Sequence, residues 1–180
     1  MSSNIKSTPD IRMIPLGLFS IGVGLFIVGG EFYGALQGAS AFIAFGLFTA
    51  GLGALITGFW AFRADNVFGG VAQSVIGLLF VSFAMYDWLF YASAKNAYAD
   101  LAWAAAASSI VVGMIAFASF KANIPKLASV TLVMLFLFLV FLWAGNEFQS
   151  PAMFQVSGVI AILTAIMAWI GGLMRLLASL

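Results

Sequence analysis

Six apolar runs, each about 20 residues long and joined by short polar connections, take up almost the whole chain. They fall at about 13–30, 39–62, 67–91, 99–120, 127–144 and 152–174. Each is long enough to cross a bilayer as a helix, and none alternates polar and apolar as a barrel strand would. The short connections make neighbouring helices antiparallel. The expected fold is an all-α membrane protein of six transmembrane helices arranged as three helix hairpins.

Composition agrees. The chain is 64% hydrophobic and only 7% charged, with a mean hydropathy of +1.14. Soluble domains are about one quarter charged, so these charges cannot cover a water-facing surface. The polar tail 1–11, MSSNIKSTPD and Ile11, leads into a membrane domain at 12–176, and 177–180 forms a short end. The first apolar run is long, rich in glycine and continuous with more membrane sequence, so it reads as an uncleaved span.

The charges orient the bundle. Lys6, Arg12, Arg63, Lys121, Lys126 and Arg175 all fall on one side of a six-span chain. The other side has Lys95, with Glu31, Asp87, Asp100 and Glu147 near it. By the positive-inside rule both termini are cytoplasmic, and the membrane is the cytoplasmic one. Trp60, Trp88, Trp103, Trp143 and Trp169 sit mostly towards span ends, as an interfacial belt does.

A short repeat runs through the chain. "FRADNVFGG" at 62–70 aligns with "FKANIPKLAS" at 120–129, and "IPLGLFS" at the start of the first span resembles both openings. Helix 2 has small residues at every fourth position: Gly46, Ala50, Ala54 and Gly58. Helix 4 repeats this with Ala105, Ser109 and Gly113, and helix 6 with Ser157, Ala161 and Ala165. Such faces let helices approach closely.

With no cysteine and no histidine, disulfides, thiolate or imidazole metal sites and Ser–His or Cys–His catalysis are excluded. No glycine-rich loop precedes a lysine, so no nucleotide site is expected. The reading is a non-enzyme with no cofactor and no metal. A net charge of +1 gives no field for nucleic acid. Transport, if present, is passive or coupled to an ion or proton. Membrane lipid is the implied surroundings.

Gln73, Ser74, Thr131, Gln155, Ser157 and Thr164 lie inside spans; the serines and threonines are read first as groups that bond their own helix carbonyls, with Thr131 also a candidate for lining the pore. Gln73 has more amide groups to satisfy and is a candidate for lining an aqueous path. Asp87, Glu31 and Glu147 end spans, where charges usually reach water; shaping an outer vestibule is the sharper alternative.

Three stretches together carry a family resemblance: "PLGL" at 15–18, "FRADNVFGG" at 62–70 and "LWAGNEF" at 142–148, followed by a glycine- and alanine-rich sixth helix. From about residue 12 to 176 the chain resembles the acetate uptake transporter family, which includes bacterial succinate–acetate permeases and their yeast relatives. The resemblance implies a homo-hexamer in which each subunit has its own pore for small monocarboxylates, and in some members succinate, with proton-linked passage in view. It implies that Asn66, Phe68 and Gly69 lie beside the cytoplasmic end of the pore, and that Asn146 matches a Gly-Asn pair after helix 5. It also implies a pore constriction at Ile21, Ile76 and Leu132. Three departures stand out: the asparagine and first proline before Pro15 are missing, Ala61 replaces a glutamate, and no tyrosine stands in the constriction. An aliphatic ring gives a carboxylate no hydrogen bond. A channel for a neutral solute (urea, a short amide or water) and a non-transporting membrane scaffold are the alternatives.

Overall fold

A computed structural model describes residues 14–36, 40–122 and 124–180. The polar tail, with Lys6 and Arg12, lies outside the described residues. Six helices are long and apolar enough to span a membrane: α1 (Ile14–Tyr33), α2 (Ala41–Arg63), α3 (Val67–Leu89), α4 (Ala97–Ser119), α5 (Lys126–Glu147) and α6 (Pro151–Leu177). No strand occurs among the described residues. The chain is a multi-pass, all-helical membrane protein. Within α2, Phe45–Leu52 winds as a π-helix between α-helical turns.

Local chemistry sets the helix ends. Arg63 ends α2 and lies over the Trp60 ring, 5.6 Å from its centroid, as cation–π pairs do. The chain turns at Asp65, whose φ of 55° is left-handed and tolerable for aspartate. Asn66 then caps α3: its Oδ1 accepts the Gly69 N–H at 2.9 Å. Asn96 caps α4 in the same way, accepting from the Ala99 N–H at 3.4 Å. Pro151 opens α6 at a position where no backbone N–H is needed.

Lipid tails are as apolar as leucine, so close packing rather than burial of oil holds such helices together. The firmest pairs are α1 with α6, α2 with α3, α4 with α5, and α5 with α6, while α1 also packs along α2. In contrast α3 and α4, expected as the middle hairpin, make only slight contact. The α1–α6 seam is backbone against backbone. A Cβ added at Gly158 would lie 2.7 Å from the Gly29 carbonyl oxygen, and one at Gly29 would lie 2.8 Å from that of Gly158. Further along the seam, the Trp169 indole N–H donates to the Phe19 carbonyl at 3.2 Å. The Ser157 hydroxyl crosses from α6 to α5 and donates to the Phe138 carbonyl at 3.2 Å. Gly46, Ala50, Ala54 and Gly58, the small stripe of α2, are all buried.

Candidate functional site

The charged residues divide the bundle into two ends. Arg63, Lys121, Lys126 and Arg175 lie at the end where α2, α4 and α6 finish. Glu31 and Asp87 lie at the other, where α1 and α3 finish. A cavity of about 700 Å³ opens at this acidic end and runs into the bundle.

Three helices build its walls with regular faces. On α3 the lining residues Ile76, Phe80, Phe83 and Asp87 recur at steps of four and three. On α5, Leu135, Leu139, Leu142 and Asn146 do the same. On α1 the lining runs through Val28, Glu31 and Phe32. This spacing keeps side chains on one side of a helix. Phe154 of α6 stacks in a tilted fashion on Phe32, with ring centroids 5.8 Å apart, and closes the remaining wall. Ile76 lies deepest along the α3 face and forms the floor.

The mouth is polar. Glu31, Asp87, Tyr91, Tyr98, Gln149 and Gln155 line it. Glu31 Oε1 accepts the Phe42 N–H at 3.3 Å, which clips the end of α1 to the start of α2. Tyr91 lies in the α3–α4 connection; burial first, then the neighbouring Tyr98 and Asp87, push its pKa up and keep its hydroxyl neutral. Among the described residues no lysine or arginine lines the cavity. Asn146 is only 3% exposed and spends its amide N–H on the Leu142 carbonyl at 2.9 Å.

The residues singled out from sequence are distributed unevenly over this geometry. Ile21, Ile76 and Leu132 are all buried and belong to one apolar cluster. Ile76 lines the cavity; Leu132 lies one step below Leu135 on the α5 face, and Ile21 lies deeper than Val28 on α1. Asn146 also lines the cavity, near its mouth. Gln73 is buried one turn below Ile76. Asn66, Phe68 and Gly69 are at the basic end, away from the cavity, where Asn66 serves as a helix cap and Phe68 packs against the core. Thr131 bonds the Leu127 carbonyl of its own helix at 2.8 Å and does not line the cavity.

The aromatic walls, Phe80, Phe83, Phe138 and Phe154, were not read as a site from the sequence. Phe138 and Phe154 lie on other helices; for Phe80 and Phe83 the signal was the step of three and four that starts at Ile76. It is faint there because the intervening residues are apolar too. Glu31 and Asp87, read first as span-end charges, both line the mouth.

The described residues thus form a six-helix membrane bundle with an aromatic-walled cavity. The chain belongs to the GPR1/FUN34/yaaH family, whose sequence profile matches residues 5–179. The solved structure of the bacterial acetate channel SatP shares the fold with a TM-score of 0.85, at 18% identity over 93% of each chain. No curated protein matches the sequence.

Proposed function

We propose that the chain is a channel or facilitator for a small carboxylic acid such as acetate in the cytoplasmic membrane. The observation that supports this reading is the cavity: it is lined from Glu31 and Asp87 inward to Ile76, and it sits in a bundle with the fold of an acetate channel. Ile21, Ile76 and Leu132 form the constriction, with Gln73 below it. The basic residues of one end put both termini in the cytoplasm by the positive-inside rule, so the cavity faces outward. The assembly is a homo-hexamer with a pore in each subunit. Passage is passive or proton-linked, and succinate is a further candidate solute.

A channel for a neutral solute such as urea or a short amide is the second reading. The observation favouring it is that, among the described residues, no lysine or arginine lines the cavity to hold an anion. Uptake of radiolabelled acetate into proteoliposomes, beside urea-driven swelling, separates the two. Saturable acetate entry above that of empty liposomes supports the first reading. Urea entry without acetate entry overturns it.

A further inference from the structure

The lining face of α3 does not end at the cavity floor. Gln73, Ile76, Phe80, Phe83 and Asp87 follow one another at steps of three and four, so Gln73 continues the same face one turn further in. The side chain is 8% exposed, and its Oε1 has no hydrogen-bond partner. It is held at the junction of α1, α2 and α3. A Cβ added at Gly17 would lie 2.6 Å from Oε1 and 2.9 Å from the Cβ of Thr57. The missing side chain at Gly17 is therefore the space that the amide occupies.

A buried acceptor without a donor is costly, and native proteins leave few of them. Serine and threonine hydroxyls inside the other helices bond carbonyls one turn back, as Thr131, Thr164 and Ser108 do. Gln73 Oε1 and the adjacent Ser74 Oγ have no such partner; of the two, Gln73 continues the lining face, so its oxygen stands in line with the cavity and waits for a donor. A neutral carboxylic acid has one, in its hydroxyl. A carboxylate is an acceptor only and would meet Oε1 oxygen to oxygen. The cavity above reinforces the distinction, because Glu31 and Asp87 line its mouth and, among the described residues, no cation does.

We propose that Gln73 Oε1 is the specificity-determining acceptor just inside the Ile76 constriction, and that it selects the neutral acid over its carboxylate. This rests on the carboxylic-acid reading above. The neutral acid enters with its proton, gives up water at the apolar neck and hydrogen-bonds to Gln73 in its place. No covalent step is involved.

The test uses full-length protein in proteoliposomes with radiolabelled acetate, with entry into empty liposomes subtracted. Gln73→Leu and Gln73→Met remove the amide at similar volume. Both also remove an unsatisfied buried acceptor, so the melting temperature in detergent should hold or rise. The expected result is protein-dependent entry in the wild type that falls about tenfold per pH unit as the neutral acid is depleted, with no acetate-carried current. Both variants should lose about tenfold of that entry with their oligomer intact. Wild-type acetate entry that is insensitive to pH, or that carries current, overturns the selection of the neutral acid while leaving the channel reading in place. So does unchanged entry in both variants. A fall in melting temperature that parallels the lost entry makes Gln73 structural and also overturns the proposal. No acetate entry in the wild type overturns the carboxylic-acid reading itself, and the inference with it.

Discussion

The Tyr86 hydroxyl donates to Asp100 Oδ2 at 2.9 Å, tying the end of α3 to the first turn of α4. These are the two consecutive helices that otherwise scarcely touch. The bond is exposed, so it contributes little to global stability, on the order of 1 kcal/mol or less. Its consequence is local. Tyr86→Phe should leave the melting temperature nearly unchanged and speed amide exchange across residues 90–97, which include the cavity-lining Tyr91. Unaltered exchange there would mean that the connection is held by other contacts.

At Gly158 the cost should be global. Gly158→Ala pushes a methyl group into the Gly29 carbonyl and the Tyr33 backbone nitrogen, 2.7 and 2.6 Å away. Neither neighbour is a flexible side-chain end, so the α1–α6 seam has to part. Overpacking of this kind costs about 1–3 kcal/mol. Thermal unfolding in detergent reads it directly, and a midpoint equal to the wild type would refute the backbone contact.

Ile76 is 6% exposed and floors the cavity. Ile76→Trp adds bulk towards the open side, where there is room for it. We expect solute flux to drop at least several-fold while size-exclusion profiles and melting stay as in the wild type. Full flux from intact oligomers would take Ile76 out of the constriction.

Asn66 offers a cleaner separation of stability from passage. Asn66→Ala removes the bond to the Gly69 N–H and should cost about 1 kcal/mol, whereas Asn66→Asp keeps a capping oxygen and should cost much less. Flux per folded protein should match the wild type in both. A selective loss of flux in the well-folded aspartate variant would put this residue in the path after all.

Hydropathy located the spans closely because length and apolar content are all a bilayer asks of a helix. The expected third run, about 67–91, and the helix Val67–Leu89 differ by two residues at one end. The turn at Arg63, Asp65 and Asn66 was equally readable, because polar residues stand out in an apolar chain. The cavity was not. Where Phe80, Phe83 and their neighbours are all hydrophobic, polarity no longer marks which side faces a lumen and which faces lipid. Nor could sequence weigh the contacts between α3 and α4, since two spans with a short connection read as a packed hairpin whether or not they touch. The amide of Gln73 stands out in an apolar run, but its oxygen is left unpaired only by the packing of α1, α2 and α3 around it.

The π stretch at Phe45–Leu52 bears on how α2 can carry small residues at every fourth position. In a plain α-helix four residues overshoot a full turn by about 40°, so Gly46, Ala50, Ala54 and Gly58 would spiral steadily away from one neighbour. A π turn holds more residues and undershoots instead. The two errors have opposite sign, and alternating them over one helix cancels the drift. A strict four-residue sequence rhythm thus behaves like a vernier, staying in step with a straight seam only because the helix changes its winding midway.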